Sequence, residues 1–167
     1  MKKRIVSMVS AMLIVCSMFC NSIINVGAEE TTNRQTEGSY LTMEESASAK
    51  TIYNPLSRGQ HLMDGTITIS KAGVKKIFVY ASTTADHVVD HIAVDVYVEE
   101  YNLDDETWEQ IDFWTEEVEN DYYAVTQKTV WVDGGHYYRI RGDHFAWNDG
   151  EDLVDSSATI TDGIWVD

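Results

Sequence analysis

His91-Ile92-Ala93-Val94-Asp95-Val96-Tyr97-Val98-Glu99-Glu100-Tyr101 reads with a period of two. Ile92, Val94, Val96 and Val98 fall on one face, His91, Asp95, Tyr97 and Glu99 on the other. A strand alternates its side chains across the pleat, whereas a helix brings apolar residues round every three or four positions. The stretch is therefore a half-buried strand, and its surroundings repeat the pattern. Upstream, Thr66-Ile67-Thr68-Ile69-Ser70 alternates and Lys71-Ala72-Gly73 turns, before a strand over 74–81 with Ile77, Val79 and Ala81 inward. Downstream, Asn102-Leu103-Asp104-Asp105 is a turn whose side chains suit capping their own backbone. Residues 108–118 return, Glu119-Asn120-Asp121 turns again, and 122–132 follow. Asp133-Gly134-Gly135 is a hairpin signal, because glycine supplies positive φ freely. Residues 136–145 then place Tyr138 and Ile140 on one face and Tyr137, Arg139 and Arg141 on the other. An acidic loop spans 148–155, and 157–166 close the chain.

About seven strands at short spacing with no helix among them predict an all-β domain over 51–167, an antiparallel β-sandwich, with a closed barrel as the alternative. Gly135-His136-Tyr137-Tyr138-Arg139-Ile140-Arg141 resembles the glycine turn and tyrosine strand of fibronectin type III and immunoglobulin-like domains. In them a tyrosine near the strand start bonds back across a corner, the part this resemblance gives to Tyr138.

The first 28 residues read as an address. Met1-Lys2-Lys3-Arg4 is cationic, an apolar run of about 16 residues follows, and Val26-Gly27-Ala28 precedes Glu29-Glu30. That describes a secretory signal peptide cleaved between Ala28 and Glu29; the run is shorter than the roughly 20 residues that span hydrocarbon. Residues 29–50 hold few large apolar side chains and read as a flexible leader, with a short frayed helix over 41–50. The expected mature chain has no stable membrane anchor and is released outside the cell.

Cleavage removes both cysteines and three cations, leaving 9 Lys plus Arg against 28 Asp plus Glu, a net of −19 where the whole chain has −16. Such acidity excludes nucleic acid and anionic membranes as partners. Between Lys76 and Lys128 lie 14 acids and no Lys or Arg. Clustered loop carboxylates can hold Ca²⁺, which takes six to eight oxygens. Asp104 and Asp105 in one loop and Asp149 and Asp152 in another are the candidate ligands, although neither loop has EF-hand spacing and solvated acidic faces are the commoner cause. No other cofactor is indicated. His87 and His91, four apart, would share a metal on a helix, but in a strand they lie roughly 13 Å apart and read as turn and surface residues. No Gly-x-Ser-x-Gly elbow or phosphate loop is present.

All five tryptophans lie beyond residue 100. Trp114 shares the parity of Gln110 and Asp112, and Tyr97 stands beside Asp95 and Glu99. Exposed rings flanked by carboxylates suit the stacking of sugar faces, which makes Trp114 and Tyr97 the candidate ligand-stacking pair. Rings that close the ends of a disulfide-free core are the plainer reading. Arg139 and Arg141 are expected to pair across strands with acids.

Tyr137-Tyr138-Arg139-Ile140-Arg141-Gly142-Asp143-His144, followed by a polar loop and Thr161-Asp162-Gly163-Ile164-Trp165, resembles a family of small secreted Firmicutes proteins grouped as a domain of unknown function. The resemblance covers about residues 59–167, and this chain is the more acidic. It implies a secreted, all-β, non-catalytic domain, gives Tyr138 and Trp165 structural parts, and supplies no catalytic residues. The resulting expectation is an extracellular binding or adhesion protein whose partner is a glycan or a protein. The alternative is a small secreted carboxylate-dependent glycan hydrolase.

Overall fold

The computed structural model describes residues 34–36, 38–51, 61–151 and 154–167. The signal segment with its Ala28–Glu29 junction, and Asp152, lie outside the described residues. Nine strands and no helix make up the described chain: β1 (Arg34–Thr36), β2 (Ser39–Thr42), β3 (Ser46–Lys50), β4 (Leu62–Lys71), β5 (Lys76–Asn102), β6 (Thr107–Trp131), β7 (His136–Trp147), β8 (Asp155–Ile160) and β9 (Gly163–Val166). No described helix is long and apolar enough to cross a membrane.

The all-β class and the antiparallel hairpins agree with the sequence reading; the layout differs. Hydrogen bonds join all nine strands into one mixed sheet in the order β1-β2-β9-β7-β5-β4-β3, with β6 on β5 and β8 on β7. Only β2 and β9 run parallel. Four expected strands have merged into two long ones. The expected turn at 119–121 is a bend within β6, where Asn120 takes a φ of 55°, opposite a register break in β5 between Thr84 and Val89.

That bend curls the sheet. The first half of β5 pairs with β4 and the second half with β7, on the same side of the strand. Folding the halves together lays β4 over β7. A Cβ on Gly65 of β4 would stand 2.4 Å from the His144 ring of β7, and one on Gly142 of β7 would stand 2.6 Å from Ile67. Only glycine allows so close an approach. Between the limbs sit Ile67, Ile69, Ile77, Val79 and Ala81 from one side and Val94, Val96, Val98, Tyr138, Ile140 and Ile164 from the other. The inward residues expected in β4 and β5 are thus the buried ones.

The expected flexible leader with a frayed helix is corrected over 39–50. Leu41 is buried, Ser39 Oγ donates to the Thr161 carbonyl (2.8 Å), and Thr42 Oγ1 donates to the Gly163 carbonyl (3.0 Å), so β2 is built onto the last strand. In β3, Ala47 and Ala49 pack on the core while Ser46, Ser48 and Lys50 face outward. A period of two in small residues is weak in hydrophobicity, and the partner strand supplies what local propensity lacks.

Candidate functional site

The expected stacking pair does not assemble. Trp114 is the cross-strand partner of buried Val96, whereas Tyr97 is the partner of Phe113, so the two rings lie on opposite faces of the sheet. Ile111 has no partner, because Val98 pairs with Asp112 and Glu99 with Gln110. That bulge puts Gln110 and Asp112 on different faces, and Trp114 goes inward with Asp112. Its indole packs on the core, donates through Nε1 to Thr126 Oγ1 (3.1 Å), and lies 4.5 Å from the Lys128 ammonium. Tyr97 is covered by the Arg141 guanidinium at 4.0 Å and by Phe113 at 4.8 Å, and burial chiefly raises its pKa.

Tyr138 is fully buried, and its hydroxyl lies 2.9 Å from the Asp133 carbonyl and 2.8 Å from Glu100 Oε2. One hydroxyl hydrogen serves two acceptors, and burial, then Glu100, push the phenol pKa up. Trp165 packs edge-on against Tyr137 at 5.0 Å and donates to Asp167 (2.9 Å). Arg139 pairs with Glu99 on β5 at 2.6 Å, donates to Ser39 Oγ (3.0 Å) and stacks over Trp108 at 4.2 Å. It ties β7 to both β5 and β2.

Around Glu100 the curl opens into two adjoining hollows. One, of about 410 Å³, is lined by Glu100, Ile111, Asp112, Val130, Trp131, Val132 and Asp133. The other, of about 340 Å³, is lined by Glu100, Asn102, Leu103, Asp104, Glu109 and His136. Glu100 Oε1 also meets His136 Nδ1 at 3.0 Å. Five carboxylates thus line the two hollows, with Lys128 close to Asp112 (2.7 Å) and Lys75 at 3.9 Å from Asp133.

The exposed rings are ones the sequence did not single out. Phe113, Tyr122 and Trp131 stand in solvent on β6, with Ile111 and Val125, and Trp131 is 71% exposed. Among the described residues β6 pairs only with β5, so a 25-residue strand has a free edge. Glu109, Glu116, Glu117, Glu119 and Asp121 run along it.

The candidate Ca²⁺ loops lie far apart. Asp104 and Asp105 sit in the β5–β6 turn, where the Asn102 side chain caps both backbone amides (2.9 and 3.3 Å). Asp149 follows β7, where it accepts from His91 (3.2 Å). Asn102 and His91 are 11 residues apart on β5, about 36 Å in extended chain, so no ion joins the two loops. No three described His, Asp or Glu side chains surround one point.

The histidines divide sharply. His91 stacks on Trp147 (4.8 Å) and bonds Glu117 Oε1 (2.9 Å), which raises its pKa. His87, the other half of the expected surface pair, is exposed and also meets His61, 26 residues upstream, which no sequence signal marked. His144 is buried between Thr83 Oγ1 and Thr159 Oγ1, each at 2.8 Å, and burial lowers its pKa to about 4.

No protein-family model, curated protein or solved structure matches the chain.

Proposed function

We propose that the protein is a secreted, non-catalytic binding module of sandwich-like, immunoglobulin or fibronectin III kind, which takes up a basic extracellular polypeptide along β6. The free β6 edge carries this reading: among the described residues no strand lies beyond it, and it bears three exposed rings and a row of carboxylates, of which Asp112 and Asp121 hold the Phe113 and Tyr122 amides. An extended partner adds to such an edge through main-chain hydrogen bonds, and its side chains set specificity. The acids select a cationic partner and disfavour a second copy of this acidic strand. The packing of β4 over β7 supports the sandwich-like description, and the Tyr138–Asp133 corner bond supports the immunoglobulin-like one. Secretion rests on the N-terminal segment and on the likeness of the two C-terminal motifs to secreted Firmicutes proteins. A product mass beginning at Glu29 in the medium of an expressing host tests the cleavage.

The binding test titrates the purified chain with an alternating Lys-Val peptide and with its Glu-Val counterpart, reading amide exchange strand by strand. The expected result is salt-sensitive binding of the basic peptide alone, with new protection over residues 107–131. Equal binding of both peptides, or protection elsewhere, overturns the reading. In the second reading, a carboxylate-dependent glycan hydrolase, Glu100 and Asp112 face one hollow of a size to admit a sugar. Release of reducing ends from wall or host glycans would replace the first reading with this one.

A further inference from the structure

Two imidazoles face each other beside the bend of the sheet. His61 Nδ1 and His87 Nε2 are 3.1 Å apart, with the rings near perpendicular at 73°. The outer nitrogen of each is committed to a carboxylate: His61 Nε2 to Glu151 Oε2 at 2.6 Å, and His87 Nδ1 to Asp86 Oδ1 at 2.5 Å. An ionised carboxylate only accepts, so both outer nitrogens carry hydrogen. In neutral rings the two inner nitrogens then both present lone pairs, 3.1 Å apart. Three contacts need three hydrogens and two neutral imidazoles have two. The gap between the rings therefore calls for a cation.

We propose that His61 Nδ1 and His87 Nε2 bind one divalent transition-metal ion of imidazole-preferring character, with Zn²⁺ as the reference ion. Bonds of 2.0–2.1 Å at angles between square and tetrahedral separate neighbouring nitrogens by roughly 2.9–3.4 Å, which brackets the spacing found. Glu151 and Asp86 stand where outer carboxylates hold metal-bound imidazoles in the right tautomer and raise their basicity. The site is fixed in place: His61 is buried, its backbone N–H and that of Leu62 both donate to Asp155 Oδ2, and its carbonyl accepts from the Asp86 amide (3.0 Å). Two nitrogens are fewer than a closed structural site supplies, so the remaining positions go to water and the ion is exchangeable.

The test is calorimetric titration of the untagged secreted chain, beginning at Glu29 and free of cysteine, with ZnCl₂, alongside histidine-ring NMR. One ion binds per chain, with the His61 and His87 ring signals shifting together. His87→Ala, a change at a half-exposed ring, abolishes saturable binding while leaving the melting temperature near that of the parent. Glu151→Gln weakens binding by about tenfold. His91→Ala, which removes an imidazole outside the pair, leaves it unchanged. Failure of Zn²⁺ to saturate below millimolar concentration in folded protein means that the gap holds only a proton, and overturns the proposal. So does binding that survives His87→Ala or is lost with His91→Ala.

Discussion

β6 and β7 both pair with the second half of β5, one on each side, yet they live in different surroundings. Beyond β7 come β8 and β9, and β4 packs over it. Beyond β6, among the described residues, there is nothing. The consequence appears residue by residue. β7 buries Arg139 and His144, a cation and an imidazole that only paired partners make tolerable. β6 leaves Phe113, Tyr122 and Trp131 in water. Inward residues of β6 such as Ala124 and Val130 are buried all the same, so the strands beyond decide the cover of outward side chains, and a strand with one neighbour is where binding is most readily accommodated.

If that contrast is right, damage to β7 costs stability and damage to β6 costs recognition. The largest effect is expected from Arg139→Ala. It leaves the nearly buried Glu99 carboxylate with only Arg141 Nε, at 3.8 Å, and loosens β2, at about 3 kcal/mol in denaturant unfolding. Next comes the pH response of His144. The pKa of this ring is about 4 in the fold against an ordinary 6.5, so the fold favours the neutral form. Its contribution is complete above pH 6.5 and is lost as pH falls toward 4, by about 3 kcal/mol. Unfolding curves at pH 7.5, 6 and 4.5 check this, and His144→Gln should remove that part of the slope. An unchanged slope in the variant would assign the acid response to other groups.

Gly65→Ala drives a methyl into the His144 ring and should destabilise by about 1–3 kcal/mol. Tyr138→Phe removes the corner bond at a cost of about 1 kcal/mol. Phe113→Ser on β6 should change unfolding by less than about 0.5 kcal/mol, while weakening any basic peptide taken up along that edge. A large loss of stability from this last change would mean that β6 is covered after all, and would erase the contrast.

Much of β5 and β7 is legible in the residues themselves. Ile92, Val94, Val96 and Val98 alternate, and they are the buried face; the cross-strand acid expected opposite Arg139 is Glu99. A backward bond from Tyr138, here to the Asp133 carbonyl, is what the resemblance of residues 135–141 to a fibronectin strand implies. Trp114 escapes the same reasoning because parity counting holds only along an unbroken ladder, and the unpaired Ile111 flips every residue beyond it. Strand β3 escapes it because Ala47 and Ala49 carry too little hydrophobic contrast to announce a strand without the β4 residues opposite.

The all-β class, the inward face of the central strand and the net acidity therefore come from the sequence unaided. Those properties are local, since a period of two and a count of charges need no knowledge of neighbours. It took the folded sheet to run β5 and β6 through their bends, to turn Trp114 inward and to bring His61 to His87. Bends, bulges and meetings across 26 residues come from the competition among partners for the same backbone groups. That competition is resolved only when the sheet curls and its strands pair.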